Sequence, residues 1–245
     1  MEDKKNETDG TIQLFTEALF SDDLRDLSTD IAEIALDTLL EENTILREIP
    51  LVKTAIAMFK AGASIQTRFE LKKQLVFLSH LQKGNLDIEG IERRNKAYQQ
   101  KEPWFEREVE NLVVYLSRYS AVEKARIQSE LYIDLINREI DQPFFEECLD
   151  ILDRIFLGDI QHLIDICNAE TAAGVSLGNL SFFQKKPPFG FDAVRCGRLS
   201  SLGLLHQLHP MSFGFTTDNH YLISDRGKYL CRIIENYNCL IQRCN

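Results

Sequence analysis

The sequence lacks a long apolar run, and this absence argues against a transmembrane protein. Its most apolar segment, residues 49–65, is 17 residues long and contains Lys53 and Lys60. A membrane-spanning helix needs about 20 predominantly apolar residues. The first ten residues, MEDKKNETDG, are polar and no apolar signal region follows them, so we expect no secretory signal. Together these features predict a cytoplasmic protein.

The sequence also lacks the short motifs that most often carry chemistry. Its six cysteines form no CxxC pair, and without a secretory signal we expect them to be reduced thiols. Cys244 is the penultimate residue, so the prenylation pattern is absent. No P-loop, GxGxxG, HExxH or EF-hand pattern occurs. We therefore predict no enzymatic activity, no cofactor and no metal ion.

Charge is unevenly distributed along the chain. The net charge is −10, yet residues 181–245 hold eight Lys or Arg and four Asp or Glu, which gives +4 and leaves −14 for the rest. The composition, 44% apolar and 27% charged, is otherwise that of a folded protein. The asymmetry predicts two modules, of which the acidic one would repel nucleic acid.

Helical periodicity dominates the first two thirds of the chain, where apolar residues recur at spacings of three and four. Pro50, Pro103 and Pro143 stand where helices can begin. The pattern predicts a disordered tail over 1–10 and a helical bundle over 11–170. The predicted helices are 11–20, 22–45, 50–82, 87–101, 103–118, 121–139, 143–157 and 159–170.

The remaining residues predict a different kind of domain. Residues 171–190 are rich in Gly, Ser and Pro and are interpreted as a linker. Residues 191–245 predict a helix, two short strands and a final helix capped by Ser224 or Asp225. The predicted elements are the helix 193–205, the strands 213–216 and 220–223, and the helix 226–236. This order is typical of a winged-helix domain, so the predicted fold class is mainly α: a helical bundle followed by a small winged-helix-like α+β domain.

Two patterns resemble active or metal sites but lack the right context. Residues 174–178 match the GxSxG nucleophile elbow, but no alternation of strands and helices surrounds them, so we interpret them as a loop. His206, His209, His220 and Cys196 lie near one another in sequence, but a structural zinc site needs four clearly paired ligands. We expect these side chains to be ordinary core or surface residues.

A second interpretation of the C-terminal domain makes it a nucleic-acid-binding module. In a winged helix, Arg195 and Arg198 would lie on the helix that enters the major groove. Two arginines are a small basic surface, so packing or protein contact is the alternative use of this domain. The residues that would contact nucleic acid are Lys185, Lys186, Arg195, Arg198 and Arg226.

Segment 49–65 has two interpretations of its own. Its apolar residues would either make it the central helix of the bundle or place it on a membrane surface or a protein partner. The residues that would form that membrane-facing or partner-facing helix are Val52, Ile56, Phe59, Lys53 and Lys60.

Four short patterns lie between residues 45 and 166: Ile49-Pro50 opening an apolar helix, Arg68-Phe69 through Lys72-Lys73, Phe77-Leu78, and Leu152-Asp153-Arg154 followed by Asp159. With these patterns the segment resembles the bacterial abortive-infection alpha family. The resemblance implies an association with defence against phage or with mobile elements in bacteria. The family has no established catalytic residues to carry over.

These observations lead to one hypothesis and two alternatives. The hypothesis is a non-enzymatic interaction or sensor protein of a phage-defence system, which acts through a protein partner. The first alternative is a DNA-binding transcriptional regulator that uses the winged-helix-like domain. The second is a peripheral membrane effector that uses the helix within 49–65.

Overall fold

The computed structural model describes residues 2–21, 36, 38, 44–60, 64–173, 192–208 and 220–244. These residues are mainly α-helical and contain a small two-stranded sheet, as the sequence predicts. The chain divides into two compact units, Met1–Asp153 (unit 1) and Arg154–Asn245 (unit 2). The division lies earlier than the predicted one at residue 170, so the helix that follows residue 156 belongs to unit 2.

Unit 1 is a set of packed helices around a central pair. Its helices are α1 (Glu2–Leu19), α2 (Thr44–Glu48), α3 (Pro50–Lys60), α4 (Ile65–Lys83), α5 (Ile88–Gln99), α6 (Pro103–Arg118), α7 (Glu123–Ile136) and α8 (Gln142–Arg154). Helix α4 packs along α7, and both bury side chains on most of their circumference. Leu75, Phe77 and Leu78 of α4 are fully buried, as expected of a helix at the centre of a bundle.

The start of unit 1 differs from the predicted pattern at two places. The sequence predicts a disordered tail over 1–10, whereas α1 begins at Glu2, where acidic residues favour a helix N-terminus. The predicted helix 50–82 is two helices, because α3 ends at Lys60 and α4 begins at Ile65. Ser64 has an extended backbone and its side chain accepts a hydrogen bond from the Thr67 amide, which caps the second helix.

Local signals place the later helices close to their predicted starts. Asp87 caps α5 by accepting a hydrogen bond from the Gly90 amide at 2.9 Å. Pro103 is the first residue of α6, where its missing amide costs nothing. Asp141 accepts a hydrogen bond from the Phe144 amide at 3.0 Å at the start of α8. These caps explain why the prediction succeeds here, since each is encoded within a few residues.

Two buried lysines bind the C-terminal carbonyls of helices in unit 1. Lys73 Nζ donates to the carbonyl oxygens of Ser117, at 3.0 Å, and Tyr119, at 2.9 Å, where α6 ends. Lys124 Nζ donates to the carbonyl oxygen of Asp153 at 3.0 Å, where α8 ends. A cation is favourable at the negative end of a helix dipole. Burial nevertheless lowers the pKa of both lysines.

Unit 2 combines helices with the hairpin. Its elements are α9 (Leu157–Ala173), α10 (Ala193–Ser201), β1 (Leu205–Leu208), β2 (His220–Ile223) and α11 (Asp225–Cys244). The strands are antiparallel, with Leu205 opposite Ile223. Strand β2 is where the sequence predicts it, but its partner β1 spans Leu205–Leu208, where no strand is predicted and where Leu205 alone falls within the predicted helix 193–205. Gly203, at φ +72°, ends that helix early. The predicted strand 213–216 lies outside the described residues.

Neighbouring helices fix the hairpin of unit 2. Ser224 caps α11, as predicted, by accepting a hydrogen bond from the Gly227 amide at 3.0 Å. The Glu170 carboxylate of α9 accepts a hydrogen bond from the Ile223 amide at 2.7 Å, and burial raises the pKa of this carboxyl. A Cβ added at Gly227 would lie 2.3 Å from the Leu204 carbonyl oxygen, so only glycine fits there. Among the described residues from 192 onward, the elements follow in the order helix, strand, strand, helix.

No described helix is both long enough and apolar enough to cross a membrane.

Candidate functional site

Helix α3 buries part of its predicted apolar face within unit 1. Val52 is fully buried in unit 1 and Ile56 is half-buried. Lys53 is exposed, and its Nζ forms an ion pair with Glu48 at 2.7 Å. The side chains of Phe59 and Lys60 lie outside the described part of the structure. The prediction of a helix continuous over 49–65 is wrong, and the buried Val52 favours the interpretation in which this segment belongs to the bundle.

The arginines of α10 are engaged within unit 2. Arg198 donates to both carboxylate oxygens of Asp159, from Nε at 2.7 Å and from Nη2 at 2.6 Å. The hydrogen bonds from Arg198 to this almost completely buried carboxylate raise the pKa of Arg198. Arg195 lies beside Asp192 and the Gly158 carbonyl, at 3.5 and 3.4 Å. Both predicted nucleic-acid contacts therefore already have acceptors in their own unit.

The other predicted contacts are separate from this pair. Arg226 lies in the first turn of α11 and is exposed, whereas Lys185 and Lys186 lie outside the described residues. Of the five predicted nucleic-acid contacts, the structure describes three. It brings Arg195 and Arg198 together on α10, and it places Arg226 on α11.

A cysteine and a histidine approach each other in unit 2, but their arrangement does not support nucleophilic chemistry. Cys196 Sγ lies 3.7 Å from His162 Nε2. Burial raises the pKa of the Cys196 thiol to about 11, so it stays protonated at neutral pH. Within the described ranges, no group of three or more His, Cys, Asp or Glu side chains could hold a metal ion. His209 and the GxSxG segment 174–178 fall in ranges that are not described.

A concave site lies in unit 1, between α5, α6 and the turn that joins α7 to α8. It is an open cavity of about 620 Å³, a volume in the range of small-molecule sites. We call it the arginine cavity. Its lining residues are Arg93, Arg94, Trp104, Arg107, Glu108, Leu135, Arg138, Glu139, Ile140, Asp141, Gln142 and Glu146.

Three of the four arginines in this lining are weakly engaged. Arg107, on α6, has no hydrogen-bond or ion-pair partner among the described residues. The Arg93 guanidinium carbon, on α5, lies 5.2 Å from the centre of a Trp104 ring. Arg138 Nη2 lies 3.6 Å from a carboxylate oxygen of the exposed Glu89. Three guanidinium groups from three elements are therefore available around one concavity.

The fourth arginine belongs to a buried polar network. Arg94 donates to both carboxylate oxygens of Glu108, from Nε at 2.7 Å and from Nη2 at 3.2 Å. The Tyr132 hydroxyl donates to the same carboxylate at 2.8 Å. Burial raises the pKa of Tyr132 well above its usual value, and the Glu108 charge adds to this. Burial would lower the pKa of Arg94, but its two partners outweigh burial and raise it. This network joins α5, α6 and α7 and supports the cavity from within.

The cavity also contains acidic side chains, so it is not a simple positive patch. Asp141 is occupied as the cap of α8. Glu146 accepts a hydrogen bond from the Gln142 side chain at 3.0 Å. Among the lining residues there is no Ser, Thr, Cys, His or Lys. The arrangement therefore suits a ligand that carries both anionic groups and hydrogen-bond donors.

Two residues with left-handed backbone flank this region. Arg138 has φ +62° and Lys101 has φ +52°. Each follows a helix whose end is closed by an amide-to-carbonyl bond, from Glu139 to Asp134 and from Glu102 to Ala97, both at 2.9 Å. Glycine is the usual residue at such positions, and a side chain there costs on the order of 1 kcal/mol. Strained residues of this kind cluster at ligand sites.

A second, smaller concavity adjoins the arginine cavity. Its volume is about 360 Å³, and it shares Arg93 and Trp104 with the first. Its other lining residues are Lys96, Ala97, Gln100 and Glu102. Trp104 is 39% exposed, and it is the only tryptophan in the chain.

Comparison with protein families, characterised proteins and solved structures finds no match to this chain. The arginine cavity is not predictable from the sequence, because its residues are distributed from 93 to 146 and form no motif. The signals that could have pointed to it are the pair Arg93-Arg94 and the single tryptophan, Trp104, eleven residues after Arg93.

Proposed function

We propose that this protein is a non-enzymatic sensor that binds a small, negatively charged ligand in the arginine cavity. The observation that carries the proposal is the convergence of Arg93, Arg107 and Arg138 on one concavity with few internal partners. Guanidinium groups bind phosphate and carboxylate through paired hydrogen bonds. An arginine that the fold already satisfies, such as Arg94, would not be available for this role.

The resemblance to the abortive-infection alpha family supplies the biological setting of the proposal. Residues 88–146, which hold the cavity, lie within the segment that carries the resemblance. The ligand would be the signal, and a protein partner would receive it. A plaque assay on bacteria that express the wild type or Arg107→Gln would test the setting: we expect protection from the wild type and its loss in the variant. Equal protection from both would contradict the proposed use of the cavity.

Intrinsic fluorescence gives a direct test of binding, because Trp104 lines the cavity and is the only tryptophan. Inorganic pyrophosphate is the first probe. We expect a saturable change in emission, and we expect Arg107→Gln to weaken binding by about tenfold or more, since a hydrogen bond to a charged group contributes about 1.5–3 kcal/mol.

Arg118→Gln is the matched control for this titration. Arg118 is an exposed arginine of the same helix, α6, but it does not line the cavity. The Arg118→Gln substitution removes one positive charge from the protein, as Arg107→Gln does. Pyrophosphate affinity equal in the two variants would show that only net charge matters, and the site would be rejected.

DNA binding by unit 2 is the second candidate function. The order α10, β1, β2, α11 favours it, since a winged helix has this order. The engagement of Arg198 by Asp159 weighs against it. We would measure duplex DNA affinity as a function of salt concentration, and a protein that contacts phosphates must lose affinity steeply as salt rises. Affinity that is flat in salt would remove this candidate.

A further inference from the structure

We infer that the ligand of the arginine cavity is a nucleotide, with its phosphates on the arginines and its base against Trp104. This inference rests on the anion site proposed above and adds the ligand class. It joins two features that a bare anion would leave unused, the exposed tryptophan and the second concavity.

Trp104 is held in position as an aromatic platform. It follows Pro103, which opens α6, so a rigid helix start fixes its backbone. Its ring packs edge-on against the buried Phe105, with centroids 5.8 Å apart and planes at 75°. Arg93 lies over it. A large aromatic side chain that remains 39% exposed beside a cavity is suited to stack on a planar ring.

The second concavity supplies groups that can recognise a base. Gln100 carries both a donor and an acceptor, and the Glu102 carboxylate can accept from an exocyclic amine or a ring N–H. The side chain of Glu102 makes no capping hydrogen bond, although Glu102 occupies the N-cap position of α6. Because Trp104 and Arg93 line both concavities, a base in the smaller one would lie next to phosphates in the larger one.

Charge favours a free nucleotide over a nucleic acid. Residues 154–245 hold nine Lys or Arg and seven Asp or Glu, which gives a net charge of +2. Because the whole chain has a net charge of −10, residues 1–153 have a net charge of −12. A long polyanion would be repelled by that surface. A small ligand meets only the local arginines, and the acidic residues of the lining can accept hydrogen bonds from its sugar hydroxyls.

The test compares ADP with inorganic pyrophosphate on the full chain by isothermal titration calorimetry. Both probes carry a diphosphate, so the difference measures the nucleoside. We expect ADP to bind at least about tenfold more tightly, in line with the measured contribution of base–aromatic stacking. Trp104→Ala should weaken ADP binding by a larger factor than pyrophosphate binding and so remove this advantage, while Trp104→Phe, which keeps a ring, should retain most of it. Circular dichroism would confirm that both variants are folded.

The outcomes separate this inference from the proposed function. If ADP and pyrophosphate bind equally, the nucleotide inference is overturned and the anion site stands. If neither probe binds, both are overturned. If a short 5′-phosphorylated DNA strand binds as tightly as ADP, the ligand is a nucleic acid and the inference of a free nucleotide fails. If Trp104→Ala weakens both probes equally, Trp104 supports the cavity and does not stack on a base.

Discussion

Unit 1 and unit 2 differ in how their arginines are paired with acidic side chains. In unit 1, a single arginine, Arg94, satisfies the buried Glu108, and Arg93, Arg107 and Arg138 are left around an open cavity. In unit 2, Arg198 is bound at both carboxylate oxygens by Asp159. The overall charges would suggest the reverse, since residues 1–153 are strongly acidic and residues 154–245 slightly basic. The candidate site is therefore indicated by arginines that have few partners, whereas the net charge of a unit does not show which of its arginines are available.

The largest expected effect comes from breaking the buried network of unit 1. Glu108→Gln would leave the Arg94 guanidinium buried without its counter-charge, and removing one partner of a buried ion pair costs about 3–5 kcal/mol. Urea denaturation followed by Trp104 fluorescence reports on the unfolding of unit 1, where the tryptophan lies. Glu110→Gln, an exposed acid on the same helix, should change stability by less than about 0.5 kcal/mol. A comparable loss in both variants would contradict the role of the network.

The counterpart in unit 2 is Asp159→Asn, which should have a smaller effect. The variant weakens both hydrogen bonds from Arg198, whose side chain is already 40% exposed. We expect helical circular dichroism to be lost at lower urea concentration while the Trp104 transition is unchanged. If the DNA-binding alternative is right, the released arginine should also steepen the salt dependence of DNA affinity by about one unit of log–log slope. A shifted Trp104 transition would show that the mutation acts beyond unit 2.

High pH should reveal a third difference, because unit 1 contains buried tyrosines. Burial, aided by the Asp153 charge, raises the pKa of Tyr119 well above its usual value, and the buried hydroxyl has no hydrogen-bond partner among the described residues. Because the pKa is higher in the folded state, the contribution of this tyrosine to stability is fully present below its unfolded pKa of about 10. The contribution is lost as pH rises above that value. The loss is up to about 1.4 kcal/mol per pH unit for one tyrosine.

Tyr119→Phe isolates this contribution. The variant should be more stable than the wild type by about 1 kcal/mol at neutral pH, because it removes an unsatisfied buried hydroxyl. Its advantage should grow as pH rises above about 10. The lowered pKa values of Lys73 and Lys124 act in the opposite direction, but they are common to both proteins and cancel in the difference. An advantage that is constant with pH would contradict the assignment.

The smallest expected effect on stability concerns the strained arginine of the cavity. Arg138→Gly relieves the left-handed backbone and should stabilise unit 1 by up to about 1 kcal/mol while it weakens pyrophosphate binding. Lys101→Gly relieves the same strain at the end of α5, but Lys101 lines neither concavity. The control should therefore gain stability without loss of affinity. If both variants bind pyrophosphate like the wild type, Arg138 does not contact the ligand.

Much of the helical order was predictable, because each helix start carries its signal locally. Asp87, Pro103 and Ser224 are caps or first residues that can be recognised without knowledge of the fold. The break between α3 and α4 was missed because Ser64 lies within an apolar stretch whose periodicity continues across it. Strand β1 was missed because its four residues gain their structure from β2, which follows more than ten residues later.

The site was not predictable in the same way. Whether Arg198 is available depends on Asp159, which is 39 residues away in sequence. The arginine cavity likewise requires that α5, α6 and the turn after α7 come together, and the buried hydrogen bonds of Arg94 and Tyr132 to Glu108 join these helices. Local patterns contain no information on such pairings, so the predicted nucleic-acid contacts lie in unit 2 and the predicted membrane or partner helix lies within 49–65.

The two buried lysines also have a practical consequence. Reagents that acylate primary amines react with an ammonium group only where it is accessible and can lose its proton. In folded protein, Lys73 and Lys124 are almost completely shielded, whereas Lys53 is exposed. Mass spectrometry after brief acylation would therefore measure how far each buried lysine becomes accessible when unit 1 opens locally. Acylation of Lys73 would report on the end of α6, and acylation of Lys124 on the end of α8.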